Sequence, residues 1–560
     1  MIVSDYVAKF LKSKGIKDIF MLTGYGAMYL NDSIFKEKLN FFATRNEATA
    51  PIMASAYSRT NKAKVGVACV TAGPGATNAI PGLAEAYVDS SPVIIISGQV
   101  IKKHTTYNAK LKGLRTFGTA EIDIVSTVKS LTKYATVVSN PNDIKYVMEK
   151  AYNVSVSGRP GPVWIDIPLD VQSKKINIKK LKSYKEKKIK KKINKKKLDK
   201  IIKLIENSKK PLIVCGQGVK SSGTFNKIYK NLSLKKNIPI LFSRAAQDLA
   251  SHKNKNILGQ FGIKGIKSSK EIMENSDLII SLGCRLAPQF TGHDFAAFKK
   301  GIIIAVDIEK DELLKKGTKL FMKLNYDLSD FVPALIKKIN LKKKINFKEW
   351  ALYCEKQKKI PIKLSLSKKN PMDLYYFMDQ LGKFSDKNNI LVTDAGSNYY
   401  AGGQVWKFEK GQKEITSITN AAMGLSIPLA IGSAVGDKNK MILAVTGDGS
   451  LELNIQELKT MSHYNFNIKL FVINNGGYVS MHNWADSFFD GRRVDDPNNT
   501  GEGTMNLKKI SEAFDLDYFR IFDYKKVQSD LKHIISNNKP MFIEVITDNN
   551  QKIFDAYMDR

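Results

Sequence analysis

The sequence places a carboxylate and an amide at a spacing that suits a bound metal ion. Asp448 stands in the turn GDGS (447–450) after an apolar run, and Asn475 ends the run IKLFVINN (468–475). Asn475 lies 27 residues after Asp448, enough for one helix and one strand between neighbouring parallel strands. Both side chains are therefore expected at the carboxyl edge of one sheet, where open α/β sheets bind ligands. Carboxylate and amide oxygens suit Mg²⁺, which also coordinates phosphate oxygens.

The turn that carries Asp448 also has the features of a phosphate-binding segment. Gly447 and Gly449 leave room for the backbone to approach a phosphate, and the helix predicted after Ser450 points its positive end at the anion. A GDG triplet alone is ordinarily a turn. Its position after an apolar strand, with a second strand that ends in NN, favours a metal-diphosphate site instead.

A second carboxylate, Glu47, opens a segment that is predicted to be a tightly packed helix. The segment ATRNEATAPIMASAYSRT (43–60) is rich in small residues: Ala48, Ala50, Ala54 and Ala56. Because small side chains allow close packing, we expect Glu47 beside a buried interface. Burial raises the pKa of a carboxyl group and allows it to exchange a proton near neutrality. The alternative is an ordinary carboxylate at a helix N-terminus.

The elements that position these residues are apolar runs that end in glycine-rich turns and alternate with helical stretches. This pattern indicates parallel sheets buried on both faces. A helix is expected over residues 3–14, and strands are expected within 18–24, 65–75, 91–100, 161–171, 211–219, 238–243, 277–286, 302–309, 389–397, 440–450, 468–475 and 540–547. We predict an α/β fold with three doubly wound parallel-sheet domains. Their predicted boundaries are 1–172 for the first domain, 173–200 for a Lys-rich linker, 201–340 for a Rossmann-like central domain, 341–364 for a second linker and 365–560 for the third domain.

The amino-acid composition limits the kinds of partner that the protein is expected to bind. The chain of 560 residues has 89 Lys and Arg against 53 Asp and Glu, a formal charge of +36. The excess is mostly lysine, spread along the chain without interleaved aromatics, so solvated lysines are favoured over a nucleic-acid surface. The four cysteines lack metal or disulfide spacing, and no apolar run reaches the ~20 residues of a membrane span. We predict a cytoplasmic protein that binds neither nucleic acid nor membrane.

Together, these motifs resemble those of the thiamine-diphosphate-dependent enzymes, and nearly the whole chain resembles the acetolactate synthase large subunit and its relatives. The resemblance implies that Asp448, Asn475 and the backbone carbonyl of Gly477 bind Mg²⁺. It also implies that Glu47 is the catalytic acid that protonates the aminopyrimidine ring of the cofactor. The ring can then take the proton from the thiazolium carbon that attacks the keto acid.

The resemblance extends to further segments that surround the cofactor. In TAGPGATNAI (71–80) it implies cofactor contacts by Pro74 and Asn78, and in SGQV (97–100) it makes Gln99 a substrate-side catalytic candidate. In TGYGAM (23–28), Gly26 corresponds to a close-approach position near the reacting carbon. The other implied cofactor-binding residues are Gly396, Ser397 and Asn398 in DAGSNYYAGGQ (394–404), Met423 in TNAAMGLSIPLAIG (419–432), Gly449, Ser450 and Tyr478.

The activity implied is decarboxylation of a 2-keto acid, pyruvate, and carboligation of the two-carbon unit to an acceptor. In this family the first domain of one subunit meets the third domain of another, so a homodimer or homotetramer is implied. Whether a regulatory subunit binds is left open. FAD is also left open: LGQFGIKG (258–265), GCRL (283–286) and VDIE (306–309) occupy positions where the central domain of acetolactate synthase holds it as a structural group, but they are also ordinary strand-end turns.

The acceptor is the least determined part of the prediction. The segment NNGGYVSMHNWADSFFDGRRVDDPNNTGEG (474–503) departs from the biosynthetic enzyme and resembles a branch associated with polysaccharide and deoxysugar genes. Members of that branch transfer the unit to a nucleotide-linked ketosugar, and Arg492 and Arg493 are candidates for contacting such an acceptor. Simple decarboxylation is a further alternative. An inactive scaffold or a basic nucleic-acid-binding protein is disfavoured, because Glu47, Asp448 and Asn475 are all present.

Overall fold

All three predicted sheets are present in the computed structural model of the chain, and every strand pair in them is parallel. The structure describes residues 1–111, 113–186, 191–292, 298, 300–359, 368–494 and 503–555. No helix within these ranges is long and apolar enough to cross a membrane. The α/β fold with three doubly wound parallel-sheet domains is confirmed.

Each sheet has six strands. The first contains β1 (Asp18–Met21), β2 (Asn40–Ala43), β3 (Gly66–Val70), β4 (Val93–Gln99), β5 (Tyr134–Val137) and β6 (Val163–Pro168). The second contains β7 (Pro211–Cys215), β8 (Ile240–Phe242), β9 (Ile257–Gln260), β10 (Leu278–Leu282), β11 (Ile302–Asp307) and β12 (Met322–Asn325). The third contains β13 (Asn389–Thr393), β14 (Lys413–Thr416), β15 (Met441–Gly447), β16 (Ile468–Asn474), β17 (Asp517–Ile521) and β18 (Met541–Ile546).

Helices flank the sheets. Around the first sheet, the α-helices are Val3–Ser13, Met28–Lys36, Thr49–Thr60, Pro74–Asn78, Ile80–Val88, Thr106–Ala109, Ile124–Val128, Ile144–Val156 and Leu169–Gln172. Around the second they are Lys195–Asn207, Gln217–Ser221, Phe225–Ile228, Lys267–Asn275, Pro288–Thr291, Lys310–Leu314, Leu328–Asn340 and Lys348–Lys358. Around the third they are Leu374–Phe384, Ser397–Val405, Ser426–Gly436, Asp448–Leu451, Glu457–His463, Val479–Phe488, Leu507–Ala513 and Val527–Ser536.

Strand order defines where ligands can bind. The first sheet has the order β2-β1-β3-β4-β6-β5, and the third repeats it as β14-β13-β15-β16-β18-β17. The second sheet has the order β12-β11-β10-β7-β8-β9, that of a dinucleotide-binding Rossmann domain. The direction of winding reverses between β1 and β3, between β7 and β10, and between β13 and β15. Crevices at the carboxyl ends of these strands are the expected ligand sites.

The first and third sheets share one hydrophobic core. Helix Thr49–Thr60 packs against helix Ser426–Gly436, and both lie in a buried cluster that also includes residues of both sheets. The helices touch through backbone, since a Cβ on Gly432 would lie 2.1 Å from the carbonyl oxygen of Met53. The second sheet has a core of its own. The first and third domains of one chain therefore form a single packed unit.

Parts of the segments predicted as linkers are packed in the structure. Ile2 pairs with Lys175 in an antiparallel bridge, and Leu181 is buried in the core of the first domain. Helix Lys195–Asn207 begins within the first predicted linker, and helix Lys348–Lys358, within the second, buries Trp350 against the central core. Residues 187–190 and 360–364 lie outside the described residues.

Candidate active site

The carboxyl edge of the third sheet brings Asp448, Asn475 and Gly477 together. One oxygen of Asp448, Oδ2, accepts hydrogen bonds from the backbone N–H groups of Asn475 (3.2 Å), Gly476 (3.0 Å) and Gly477 (3.0 Å). The other, Oδ1, accepts from the N–H of Gly449 at 2.9 Å. Gly476 and Gly477 have φ values of +79° and +107°, which favour glycine and allow three successive N–H groups to converge. Burial raises the pKa of Asp448, and these hydrogen bonds oppose that rise.

Asp394, which follows β13, connects this turn to the next strand end. Its Oδ2 accepts hydrogen bonds from the hydroxyls of Ser450 (2.6 Å) and Thr446 (2.8 Å). Burial raises the pKa of Asp394 to about 6, against the opposing effect of its hydrogen bonds. Asp394 was not among the predicted site residues, although an Asp at the end of an apolar strand is a signal for such a residue.

Other predicted residues of the third domain follow the ends of β13 and β16. Asn398 donates to Asp394 Oδ1 at 3.3 Å, and the Ser397 hydroxyl lies 3.2 Å from that of Ser480. Gly396, with φ +85°, precedes helix Ser397–Val405. Tyr478 precedes helix Val479–Phe488, and its carbonyl accepts from the N–H groups of Met481 and His482.

Met423 is half-buried in a segment that is attached to the metal turn. The N–H of the following residue, Gly424, donates to Ser450 Oγ at 2.8 Å. The carbonyl of Gly424 accepts from the side-chain amide of Asn454 at 2.8 Å. A short helix carries Ser450, and Asn454 ends the 3₁₀ turn that follows it. The predicted cofactor-bending segment and the predicted metal turn are therefore one hydrogen-bonded unit.

Glu47, Pro74 and Asn78 meet at the carboxyl edge of the first sheet. The side-chain amide of Asn78 donates to Glu47 Oε2 at 3.2 Å. Pro74 begins the short helix Pro74–Asn78, and a Cβ on Gly75 would lie 3.2 Å from Glu47 Oε1. Glu47 is half-buried and lies two residues before helix Thr49–Thr60. The switch point between β1 and β3 therefore presents a carboxylate that is partly open to its surroundings.

Gly26 lies at the same edge and is closely packed. Its N–H donates to Thr71 Oγ1 at 3.0 Å, and its carbonyl accepts from the side chain of Gln172 at 2.7 Å. A Cβ at this position would lie 2.9 Å from the Cβ of Ala72. A side chain at this position would therefore not fit without a shift of its neighbours, and the approach of Gly26 to the reacting carbon stays a prediction.

Gln99 is buried and its amide is engaged within the protein. Its Nε2 donates to the carbonyl of Ile122 at 3.0 Å and to Asp166 Oδ2 at 3.3 Å, while its Oε1 accepts from the N–H of Val100 at 3.0 Å. Both amide protons are therefore used. Asp166, which the sequence analysis did not identify, also accepts from Ser97 Oγ at 2.6 Å, and burial raises its pKa to about 7.

Two clusters thus stand at two sheet edges, and no hydrogen bond within the described ranges joins Glu47 to Asp448 or Asn475. The first domain does contact the third through Glu457, which accepts from the Arg45 N–H and the Thr49 hydroxyl, each at 2.8 Å.

The arginines considered for acceptor binding lie beyond the metal turn and are paired with neighbouring acids. Arg493 Nη2 lies 2.8 Å from Asp486, and Arg492 Nη1 lies 3.1 Å from Asp490. Residues 495–502 of the segment that departs from acetolactate synthase fall outside the described residues.

The second sheet has a cavity of about 380 Å³ at its switch point. The GCRL and VDIE turns contribute Arg285 and Asp307 to its lining, whereas the residues of 258–265 do not line it. The neighbouring first domain contributes Arg159, which pairs with Glu312 at 3.0 Å. Arg285 pairs with Glu312 at 3.3 Å and also donates to Thr419 Oγ1 at 2.9 Å. This cavity lies where all three domains meet.

Three family profiles match the chain in order. The N-terminal TPP binding domain of thiamine pyrophosphate enzymes matches residues 1–125, the central domain matches 198–335 and the C-terminal TPP binding domain matches 394–545. The fold and the two edge clusters agree with this order, and the chain belongs to the thiamine pyrophosphate enzymes.

Within this family the chain is of the acetolactate synthase-like type. The acetolactate synthase large subunit of Lactococcus lactis is 29% identical over 556 residues, covering 98% of this chain and 93% of the relative. The probable large subunit of Methanocaldococcus jannaschii is 28% identical, covering 97% and 92%. The isozyme 1 large subunit of Escherichia coli is 27% identical, covering 98% and 95%.

Proposed function

We propose that the protein decarboxylates pyruvate and transfers the two-carbon unit to an acceptor, as an acetolactate synthase-like carboligase. The observation that carries this proposal is the convergence of Asp448 with the turn at Asn475–Gly477, at the carboxyl ends of the neighbouring strands β15 and β16, next to the switch point of the third sheet. The equivalent switch point of the first sheet presents Glu47 with Asn78. The relatives named above, which match nearly the whole chain, support the reaction class.

The third sheet would hold Mg²⁺ and the diphosphate. The donors at this edge fit the ion, because Asp448, the amide of Asn475 and the carbonyl of Gly477 are hard oxygen ligands. The N-terminal end of helix Ser397–Val405, which Gly396 precedes, fits a diphosphate. The bound thiamine diphosphate would supply the electron sink for loss of CO₂.

Glu47 would hold and deliver the proton that the aminopyrimidine ring needs. Asn78 donates to Oε2 of this carboxyl group, which leaves Oε1, the oxygen nearer to Gly75, for the exchange with the ring nitrogen. A carboxyl group at a half-buried position becomes fully buried when cofactor and a partner surface cover it.

The complete site would form between two copies of the chain. Large apolar side chains are exposed beside both clusters: Tyr25, next to Gly26, is 71% exposed, and Trp484, on the helix after Tyr478, is 60% exposed. If the carboxyl edge of the first sheet in one copy contacted the carboxyl edge of the third sheet in another, Tyr25 and Trp484 would both be covered. We propose a homodimer or homotetramer. Because the relatives are named large subunits, a smaller regulatory subunit is the next partner to test.

We further propose that FAD binds in the 380 Å³ cavity as a structural group. The cavity size is typical of small-molecule sites, and its position at a Rossmann switch point suits a nucleotide. Arg159 and Arg285 supply cations at the wall of this cavity. A flavin absorbance that remains with the protein through gel filtration would support this assignment. Location in the reducing cytoplasm is proposed as well, supported by four buried cysteines without disulfides.

The reaction is tested with the purified chain, thiamine diphosphate, Mg²⁺ and ¹³C-labelled pyruvate, with and without nucleotide-linked ketosugars. We expect CO₂ release that requires both the cofactor and the metal ion, and acetolactate as the product without added sugar. A labelled branched sugar would assign the ketosugar as acceptor, and acetaldehyde alone would indicate a simple decarboxylase. A chain that binds the cofactor but releases no CO₂ under any condition would contradict the proposal.

A further inference from the structure

One buried carboxylate contacts three segments of the proposed cofactor site. Asp394 is fully buried, and its two oxygens accept hydrogen bonds from four donors. The hydroxyls of Thr446 (2.8 Å) and Ser450 (2.6 Å) belong to the metal turn. The third donor is the N–H of Ser426 (3.4 Å), the first residue of the helix after Met423. The fourth is the side-chain amide of Asn398 (3.3 Å), in the helix on the diphosphate side.

Ser450 extends this contact to the segment that precedes the helix at Ser426. A serine hydroxyl has a single proton, and Ser450 donates it to Asp394 while its oxygen accepts from the N–H of Gly424 at 2.8 Å. The hydroxyl is thus not available as a donor to a phosphate, and any contact of Ser450 with the cofactor would use its backbone. The series Asp394, Ser450, Gly424 fixes the backbone next to Met423 relative to the turn of Asp448.

Asp394 also fixes the orientation of the Asn398 amide. The Nδ2 of Asn398 faces two acceptors, Asp394 Oδ1 at 3.3 Å and the carbonyl of Val445 at 3.5 Å. The side-chain oxygen of Asn398, Oδ1, is buried and has no hydrogen-bond partner within the described ranges. A buried acceptor of this kind is costly unless a donor from water or a ligand reaches it.

We infer that Asp394 is a positioning residue, which sets the metal turn, the Met423 segment and Asn398 in the mutual arrangement that binds thiamine diphosphate. The inference rests on the proposed function. A carboxylate is needed because its two oxygens accept all four hydrogen bonds, whereas an asparagine has one acceptor oxygen and would place an NH₂ group against other donors.

The test compares Asp394→Asn with Asp18→Asn, a matched control. Asp18 is also buried and also accepts two side-chain hydrogen bonds, from Asn40 and Tyr57 at 2.8 Å each, but it belongs to the first sheet. Cofactor affinity is measured by quenching of intrinsic fluorescence with Mg²⁺ and thiamine diphosphate, independently of activity. We expect Asp394→Asn to weaken binding about 10- to 100-fold, from the lost bonds to a charged acceptor, and Asp18→Asn to leave it unchanged.

A double-variant cycle separates positioning from general stability. Ser450→Ala removes the intermediate hydroxyl and is expected to weaken binding by itself. If Asp394 acts through Ser450, the double variant binds only slightly more weakly than Asp394→Asn alone, whereas independent effects would multiply. Should Asp394→Asn not fold, Ser450→Ala alone decides the matter, and wild-type affinity in Ser450→Ala overturns the inference.

The same titration distinguishes this inference from the proposed function. Wild-type protein that binds no thiamine diphosphate with Mg²⁺ would overturn both. Wild-type protein that binds it, together with an Asp394→Asn variant that binds equally well, would overturn the positioning role alone.

Discussion

The two cofactor-facing sheets have the same strand order, yet their carboxyl edges are built differently. At the third sheet, the Asp448 carboxylate accepts four backbone hydrogen bonds within one chain. At the first sheet, Glu47 accepts one side-chain hydrogen bond, from Asn78, and stays half-buried. The difference indicates that the proposed metal-binding end is preorganised in a single subunit. In the proposed dimer or tetramer, the proton-transfer end would be completed by the surface of another subunit.

The largest effect is expected from Asp448→Asn, which removes the charge from the preorganised edge. Cofactor affinity should fall more than about 100-fold, beyond the loss seen for residues that only support a metal ligand, and CO₂ release should disappear. Fluorescence titration with thiamine diphosphate and Mg²⁺ measures the loss. The control is Asp515→Asn, an exposed residue of the same domain that pairs with Lys459. Unchanged affinity in Asp448→Asn would mean that the metal ion binds elsewhere.

Glu47→Gln should lower the rate of CO₂ release and leave the binding of thiamine diphosphate nearly unchanged. Loss of a general acid typically lowers the rate 10²- to 10⁴-fold, so we expect a fall of about that size in CO₂ release. The dissociation constant of thiamine diphosphate should change only a few-fold, because the metal edge is intact. Glu37→Gln, at a carboxylate of the same domain that pairs with Lys9, is the control. A loss of cofactor affinity as great as that of Asp448→Asn would remove the distinction between the two edges.

Gly75→Ala probes how tightly Glu47 is held. The added Cβ would lie 2.6 Å from Thr71 Cγ2 and 3.2 Å from Glu47 Oε1, so the carboxylate has to shift. A displacement of this order is expected to lower the rate of CO₂ release about 10- to 100-fold, with cofactor affinity nearly unchanged. Gly113→Ala is the matched control, since its Cβ meets no atom within 4 Å. A rate equal to wild type would show that Glu47 tolerates movement.

The last prediction concerns the pH dependence of protein stability at the first sheet. Burial raises the pKa of Asp166 from its ordinary 3.8 to about 7 in the folded protein. The contribution of Asp166 to stability is therefore present below about pH 4 and is lost as pH rises towards 7. The stability advantage of wild type over Asp166→Asn should shrink by up to about 1.4 kcal/mol per pH unit across that window. Urea unfolding followed by tryptophan fluorescence suits the measurement, since Trp164 donates to Ser97.

Asp143→Asn, at an exposed position of the same domain, serves as the control for that pH series. A constant stability difference between wild type and Asp166→Asn from pH 4 to 7.5 would mean that Asp166 ionises normally in the folded protein.

The sequence predicts the interior of each sheet and misses the edges. All twelve predicted strand segments contain interior strands, and the six others, β2, β5, β9, β12, β14 and β17, are the edge strands. The edge strands are short, and all but β9 are partly solvated, so they do not form long apolar runs: β17, for example, exposes Asp517 and Arg520. Hydrophobic patterning identifies strands that are covered on both sides.

The same limit applies to the site. Asp448 and Asn475 were predictable because a strand, a turn and a helix adjacent in sequence place them. The roles of Asp394 and Asp166 depend on hydrogen bonds to residues that are distant in sequence: Ser450 is 56 residues from Asp394, and Ser97 is 69 from Asp166. Neither contact leaves a local pattern. The half-exposed state of Glu47 likewise depends on surfaces that a single sequence does not specify.

The backbone contact between Gly432 and Met53 has a consequence for an assembly of two copies. One of the helices it joins begins just after Glu47, and the other begins just after the segment of Met423. In the proposed dimer, the N-terminal ends of these two packed helices would lie in different catalytic centres. In that dimer, a ligand that displaced Glu47 in one centre would also shift the helix that follows the Met423 segment of the other centre, so the proposal implies that the two centres would be mechanically coupled.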